Sequence, residues 1–240
     1  MNAPLLLIPI AIEWVILVTT LAPLVLVGRF RSTPRVGIVV WFTTFLSAGG
    51  SVLIAFVVAL WAYTNTVSAL SRDEFGGIQW MIALAVSFAP WIALAVGGIS
   101  LALVNQKLEP LVKTAKEVKP LLDLSKAPLM NFMGVPVSTV DVPFAYALAT
   151  GKEILISRFA VDGLSQEEMD AVLWHELCHV REKHFALKRL SRFILALSPR
   201  LAASRALVSE IETLIEFVAD NFALRHTNRQ TLGQARKIFS

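Results

Sequence analysis

The first part of this 240-residue sequence contains very little charge. The chain has 22 Lys and Arg and 18 Asp and Glu, yet only seven of these charged side chains fall within residues 1–106. An ordinary soluble domain contains about 25% charged residues. This deficit excludes a soluble enzyme and a disordered chain, and the single cysteine, Cys178, excludes a disulfide scaffold. The net charge of +4 is too diffuse to indicate binding of nucleic acid.

Long apolar runs fill the poorly charged part of the chain. A membrane-spanning helix needs about 20 apolar residues, and three stretches satisfy this: about residues 5–27, 37–63 and 79–104. The loop after the first stretch carries three arginines (29, 31 and 35) and no acid, which predicts a cytoplasmic position under the positive-inside rule. We therefore expect a multi-pass protein with its N-terminus outside and the later part of the chain in the cytoplasm.

The sequence divides into three parts. Residues 1–106 form the predicted transmembrane domain. Residues 107–127 are amphipathic and basic, which predicts a connector lying along the lipid headgroups. Residues 128–240 have the charge content of a globular domain. The expected fold is a mainly α membrane protein with three N-terminal transmembrane helices, followed by a cytoplasmic α+β domain.

Local patterns predict the elements of this last domain. Residues 135–140 and 154–157 are rich in β-branched residues, and a Gly151–Lys152 turn precedes the second segment, which predicts a small antiparallel sheet. The sequence Ser165-Gln-Glu-Glu168 is a capping box and predicts the start of a helix. An apolar stripe at helical spacing predicts a second helix over about Ala203–Arg225.

The motif His175-Glu-Leu-Cys-His179 lies in the middle of the first of these helices. Histidines at positions i and i+4 lie on the same helix face, so both imidazoles can bind one tetrahedral zinc ion. Glu176 lies beside the metal position, where it can accept a proton from water as a general base. The motif arises by chance in about one chain in a hundred or fewer of this length. Cys178 occupies a variable position and is expected to pack as a small apolar residue.

A catalytic zinc ion needs a third protein ligand. His184 follows His179 by five residues, and on a continuous helix it would point away from the metal. Glu216 on the second helix is the better candidate, and Asp220, one turn later, can accept a hydrogen bond from a ligand histidine. Without the HExxH motif, both acids would be interpreted as part of a solvated helix face.

The motif HELCH on one helix and Glu216-Phe-Val-Ala-Asp220 on the next resemble the gluzincin metallopeptidases of families M48 and M56. The preceding apolar spans and the long gap from His179 to Glu216 make the chain more similar to the M56 group, typified by the BlaR and MecR antibiotic sensors. The resemblance implies one Zn²⁺ per chain held by His175, His179 and Glu216. It also implies Glu176 as the general base, with Asp220 behind a ligand histidine.

The resemblance further implies where a substrate binds. Ile154, Leu155 and Ile156 are expected to form the edge strand on which a substrate chain pairs. His226 and Tyr146 are candidates for stabilising the transition state. The family's setting implies a bacterial cytoplasmic (inner) membrane.

Three functions remain open from the sequence. The first is a membrane zinc endopeptidase that contacts the lipid bilayer and cleaves a protein substrate, either a winged-helix repressor, as in M56, or misfolded membrane proteins, as in M48. The second is a catalytically silent membrane scaffold that binds a partner. The third is a transporter or channel, which depends on Glu13 within the first span alone. No direct binding of nucleic acid is expected, and the oligomeric state stays open.

Overall fold

The computed structural model describes residues 7–70, residue 81 and residues 126–239. The helices within these ranges are α1 (Leu7–Leu26), α2 (Pro34–Leu70), α3 (Arg158–Gly163), α4 (Gln166–Arg181), α5 (His184–Leu197), α6 (Ala202–Ala223) and α7 (Arg229–Lys237). The strands are β1 (Lys126–Phe132), β2 (Val135–Val140), β3 (Ala147–Ala149) and β4 (Ile154–Ser157). The third predicted span and nearly all of the predicted connector lie outside the described residues.

Helices α1 and α2 form a hairpin of two apolar helices. Among the described residues, these two are long and apolar enough to cross a membrane, α2 over Pro34–Asn65. Trp14 of α1 donates a hydrogen bond from its indole nitrogen to Ser47 Oγ of α2 at 3.1 Å. Few residues of either helix are buried within the protein. α1 lies within the first stretch expected from the sequence, and α2 extends beyond the second at both ends.

The four strands form one mixed sheet in the order β1-β2-β4-β3. β1 and β2 are antiparallel, and so are β3 and β4, which the turn at Gly151–Lys152 connects. β2 and β4 are parallel, with Val137 beside Ile154 and Val140 beside Ser157. The prediction of a purely antiparallel sheet is therefore wrong. After β2 the chain crosses to the outer edge, forms β3 there, and then turns back to fill the gap as β4.

Ile154, Leu155 and Ile156 do not form an edge strand. They belong to β4, which pairs with β2 on one side and β3 on the other, and every residue of β4 is buried. A continuous apolar run without polar alternation suits a strand that is covered on both faces. The exposed edge on this side of the sheet is β3. At the other edge, β1 begins at Lys126, inside the residues assigned to the connector.

Helix α4 begins at the capping box that the sequence predicts. The Ser165 side chain accepts a hydrogen bond from the N–H of Glu168, and the Glu168 carboxylate accepts one from the N–H of Ser165. The capping groups satisfy two backbone donors that a helix start leaves free. Leu173 of α4 is fully buried in one core with Ile154 and Ile156 of β4. This packing fixes the helix against the sheet.

Helix α6 joins the domain to the α1–α2 hairpin. The buried residues of this second core are Ala22 of α1, Ile38 and Trp41 of α2, Cys178 of α4, and Leu207, Ile211, Leu214, Ile215, Val218 and Ala219 of α6. The backbone N–H of Gly28 also donates to Glu210 Oε2 of α6 at 3.1 Å. Burial raises the pKa of Cys178 to about 12, so its thiol stays protonated and packs as an apolar group.

Candidate metal centre

Three side chains from two helices converge on one point. His175 and His179 lie one turn apart on α4, and Glu216 comes from α6. His175 Nε2 is 3.1 Å from His179 Nε2 and 3.3 Å from Glu216 Oε2, and His179 Nε2 is 3.6 Å from Glu216 Oε2. A tetrahedral zinc ion with bonds of 2.0–2.1 Å places its ligand atoms about 3.3 Å apart. These nitrogen and oxygen donors therefore have the chemistry and the spacing of a zinc site.

The charges of this cluster suit a cation. Burial raises the pKa of Glu216, but hydrogen bonds from His175 and His179 and the charge of Lys188 lower it far more, so the carboxylate is ionised. Lys188 Nζ lies 3.2 Å from the Oε1 atom of Glu216, which leaves Oε2 towards the histidines. Burial by itself lowers the pKa of His175. Its contacts with Asp220 and Glu216 outweigh this effect and raise the pKa to about 9. Without a metal, a proton on His175 thus balances the carboxylates.

An acid and an arginine hold His175 from behind. His175 Nδ1 lies 3.1 Å from Asp220 Oδ1, and Arg236 of α7 contacts the same carboxylate. Burial raises the pKa of Asp220, but the contacts with His175 and Arg236 lower it more, so this group is also ionised. A carboxylate behind a histidine ligand fixes the ring and its tautomer. Asp220 therefore keeps Nε2 of His175 towards the metal position.

A third histidine holds His179 in a similar way. His184 Nδ1 lies 2.8 Å from His179 Nδ1. Burial and the nearby His179 lower the pKa of His184 to about 4, so it is neutral and can accept a hydrogen bond. The expectation that His184 points away from the site assumed one continuous helix. Instead α4 ends at Arg181, Lys183 adopts a left-handed conformation with φ of 53°, and His184 begins α5 against His179.

The carboxylate of Glu176 is bound by the edge of the sheet. Its Oε2 atom accepts a hydrogen bond of 2.7 Å from the backbone N–H of Ala149, the last residue of β3. In the antiparallel pair of β3 and β4, Ala149 stands opposite Ile154, but its N–H points away from β4. One carboxylate oxygen of Glu176 is thus held in place, and the other is left for a proton.

Two cavities flank Glu176, and both are lined by Ala147, His175 and Glu176. One cavity of about 200 Å³ extends towards α7 and is mostly apolar. The residues that complete its wall are Val172, Leu232, Ala235, Arg236 and Phe239. The other cavity, of about 250 Å³, extends along α5 past Phe185 and Lys188. A chain lying along β3 would therefore have room for side chains on either side of Glu176.

His226 and Tyr146 line neither of these cavities. The ring of His226 stacks on Trp174, with centroids 3.6 Å apart and planes at 8°. The backbone N–H of Tyr146 donates to Ser157 Oγ. Burial, and then the negative charge of Glu176, raise the pKa of the Tyr146 hydroxyl. Neither side chain thus lies in the wall of a cavity beside Glu176, and His226 is engaged by Trp174.

Four supporting contacts at the site were missed by sequence reasoning. They come from His184, Lys188, Arg236 and the backbone N–H of Ala149. A lysine, an arginine and a main-chain amide carry no motif, and their positions follow from the packing of α5, α7 and β3. The one available signal was a third histidine at a short distance after the HExxH motif.

A histidine pair on one helix, an acidic ligand on the next and a strand edge beside the general base form the arrangement expected of a gluzincin-type metallopeptidase. The model of peptidase family M48 matches residues 111–198 of the chain. The match includes His175, Glu176 and His179 and ends before α6. It supports a gluzincin-type metallopeptidase, and peptidases of family M48 are zinc-dependent. No curated protein matches the chain. The similarity to M56 stays a prediction.

Proposed function

We propose that this protein is a zinc-dependent endopeptidase anchored in a membrane by α1 and α2, which hydrolyses cytoplasmic or membrane-proximal proteins. The observation that carries this proposal is the convergence of His175, His179 and Glu216, with donor atoms 3.1–3.6 Å apart, next to the carboxylate of Glu176. The match to family M48 supports the same activity.

In this proposal Glu176 is both the general base and the proton carrier, and β3 is the surface that binds the peptide. A zinc ion held by the three ligands would act as a Lewis acid towards the scissile carbonyl and lower the pKa of water. Glu176 accepts the proton of the attacking water and passes it to the leaving amine. The N–H of Ala149 keeps this carboxylate in one orientation throughout. β3 is the outermost strand on this side of the sheet, and an extended peptide can add along the part of its edge that Glu176 does not bind.

A cytoplasmic position of the site is supported by the loop between α1 and α2. This loop carries two of the three arginines that predict a cytoplasmic side, and the third, Arg35, lies in the first turn of α2. The loop lies on the same side as the metal centre, because Gly28 is bound to Glu210 of α6 and Arg35 is paired with Glu182 after α4. Of the two substrate classes, the match to family M48 favours misfolded membrane proteins over a winged-helix repressor.

The first test is the zinc content of the purified protein. We expect about one zinc per chain in the wild type and a large loss in Glu216→Ala. Glu212→Ala is the matched control, because Glu212 lies one turn earlier on α6 and pairs with Arg192 at the surface. A wild type without zinc, even after incubation with the metal, would overturn the proposal.

The second test is proteolysis in cells. New protein N-termini are compared between cells with the wild type and cells with Glu176→Gln, which keeps the shape of the side chain but removes the base. Glu167→Gln, on the exposed first turn of α4, is the control. We expect the new N-termini to disappear in Glu176→Gln alone. An unchanged set, with zinc present, would instead favour the silent scaffold.

A further inference from the structure

We infer that the hairpin formed by α5 and α6 also inserts into the lipid bilayer, and that it does so from the side of the metal centre without crossing. The tip of this hairpin is defined here as residues 190–207. The inference rests on the proposal that α1 and α2 cross the membrane. The experiment below tests the insertion of the tip and the membrane crossing separately. It adds a third contact with lipid and sets the depth of the metal centre.

The direction of α6 leads its first residues towards the membrane. Val36 at the start of α2 shares a groove with Asn221 near the end of α6, and Gly37 lies against Leu214, one to two turns earlier on α6. Trp41, further along α2, shares a core with Leu207 and Ile211, which come earlier on α6. α6 therefore runs in the direction opposite to α2 and is inclined to it. At a rise of 1.5 Å per residue, Ala202 lies about 18 Å from Leu214 along the axis of α6.

The end of the α1–α2 hairpin that lies beside α6 is also exposed to lipid. Large apolar side chains stay exposed up to its connecting loop, where Leu24 is 80% exposed. The others in this group are Val25, Val27, Val36 and Val39. Apolar side chains so exposed at the end of a spanning helix belong in hydrocarbon or at its boundary. The part of α6 between Leu214 and Ala202 therefore runs beside the boundary and beyond it.

The tip carries side chains that suit this position. Leu190, Phe193 and Leu197 recur at helical spacing on one face of α5, and Leu201 follows in the connection to α6. Each is 40–46% exposed. A different face of α5, which includes Ile194, packs on the core around α6. The exposed stripe thus faces away from the protein, as expected for a helix face in contact with lipid.

Charges on the hairpin are arranged for an anionic membrane surface. Arg192 Nη2 lies 2.7 Å from Glu212 Oε1, which marks a polar level across both helices. Beyond this pair, residues 193–211 contain Arg200, Arg205 and one acid, Glu210, whose carboxylate accepts a hydrogen bond from the N–H of Gly28. Arginines just inside the boundary can extend back to lipid phosphates, and clustered positive charge favours anionic lipids. The partner of this face is therefore an anionic bilayer.

This arrangement places the metal centre close to the membrane surface. Glu216 lies six residues after Glu210, the residue bound to Gly28, and so about 9 Å further along α6. For the proposed peptidase, substrates would be chains whose cleaved bond lies near the bilayer. The segments that adjoin a transmembrane helix satisfy this condition.

Nitroxide labels on single introduced cysteines measure the depth of the tip in vesicles of mixed zwitterionic and anionic lipid. The labelled variants of the full chain are Phe193→Cys and Leu197→Cys, with Val39→Cys on α2 as the membrane reference. Phe159→Cys is the matched control, because Phe159 of α3 is 51% exposed against 44% for Phe193, and the next residue, Ala160, is buried in the core around the sheet. Cys178 is buried and serves as the unlabelled background. We expect oxygen to reach the tip more readily than a water-soluble nickel chelate, and the reverse at Phe159→Cys.

Other outcomes overturn the inference in distinguishable ways. If the nickel chelate reaches positions 193 and 197 as it reaches 159, the tip lies in water. If both reagents are excluded there, protein covers the stripe, either a further segment of this chain or a second copy. If Val39→Cys is itself in water, the membrane proposal fails as well. Leu190→Cys provides a third position should one variant misfold. Zinc content of the same samples tests the metal centre independently of depth.

Discussion

Each ligand of the candidate metal centre is held by a second side chain. Asp220 holds His175, His184 holds His179, and a lysine of α5 binds the outer oxygen of Glu216. A ligand that is already oriented loses little freedom when the metal arrives, and such partners also set its basicity. Zinc affinity should therefore depend strongly on residues that never contact the metal.

The clearest case is Asp220→Asn. The amide keeps the size of the side chain but removes the charge that orients His175 and pairs with Arg236. We expect zinc affinity to fall about 10- to 100-fold, as measured by competition with a chelator. Asp162→Asn, an exposed acid of α3, is the matched control and should bind zinc as the wild type does. Equal affinities in the two variants would contradict a supporting role for Asp220.

The raised pKa of His175 makes zinc binding depend on pH. Burial by itself lowers this pKa, but the contacts with Asp220 and Glu216 outweigh burial and raise the pKa to about 9 in the metal-free protein. Below pH 9 the metal must displace a proton from His175. The apparent affinity for zinc should therefore fall about tenfold for each unit by which the pH is lowered. Chelator titrations between pH 6.5 and 8.5 measure the slope, and a flat profile would contradict the prediction. In the metal-free protein, the contacts of protonated His175 with Asp220 and Glu216 also stabilise the folded state. This stabilisation is complete below pH 6.5 and is lost as pH rises through 9.

At the scale of secondary structure, local signals predicted the local features. The capping box predicted the start of α4, and the apolar stripe predicted α6 to within two residues at either end. The order of the strands was not predictable in this way, because the apolar run Ile154–Ile156 indicates burial on both faces but does not identify the strands that pair with it. Only the folded sheet identifies these strands as β2 and β3.

In the candidate site, too, the sequence predicts local features but not contacts between distant segments. The spacing of His175 and His179 is local to one helix, so the sequence predicted that pair directly. The position of His184 depends on one left-handed residue, Lys183, which is a conformation that lysine seldom adopts and that no pattern indicates. The contact of Ala149 with Glu176 depends on which strand is outermost, which the sequence analysis predicted wrongly.

Strand β3 is expected to matter for catalysis through one backbone amide. In Ala149→Pro the N–H that binds Glu176 is lost, while the pairing of β3 with β4 is kept, because this N–H faces away from β4. General base catalysis contributes about 10²–10⁴-fold, so we expect a loss of at least about tenfold in kcat/KM with zinc content unchanged. Ala149→Gly retains the N–H and should keep most activity. Equal rates in both variants would exclude this role for the amide.

Helix α2 passes close to its neighbours at Gly37. A Cβ atom there would lie 2.5 Å from Phe30 Cβ and 3.0 Å from Leu214 of α6. Gly37→Ala should therefore destabilise the protein by about 1–3 kcal/mol, the usual range for overpacking, as measured by thermal unfolding in nanodiscs. Gly49→Ala is the matched control on the same helix, because nothing lies within 4 Å of its added Cβ. If both variants unfold alike, the tight contact between α2 and α6 is not important for stability.

At the scale of the whole molecule, the metal centre lies where two cores meet, and α4 and α6 each contribute to both, through Cys178 of α4 and Phe222 of α6. One core joins the sheet to α4 and α7, and the other joins α6 to the α1–α2 hairpin. His175 and His179 come from the helix of the first core, and Glu216 comes from the helix of the second. A bound metal would thus add a direct link between α4 and α6 to the packing that already joins them.

Removal of zinc should therefore lower the stability of the whole chain. A ligand that binds only the folded state stabilises it by about 4 kcal/mol when its free concentration is 1,000 times the Kd. We expect a higher Tm for the zinc-loaded protein in nanodiscs than for the same protein after chelation, as measured by calorimetry. Glu216→Ala should resemble the chelated wild type and should not respond to the chelator, because the metal can no longer connect α6 to α4. If chelation removes the zinc and the Tm stays constant, the metal link between α4 and α6 does not stabilise the fold.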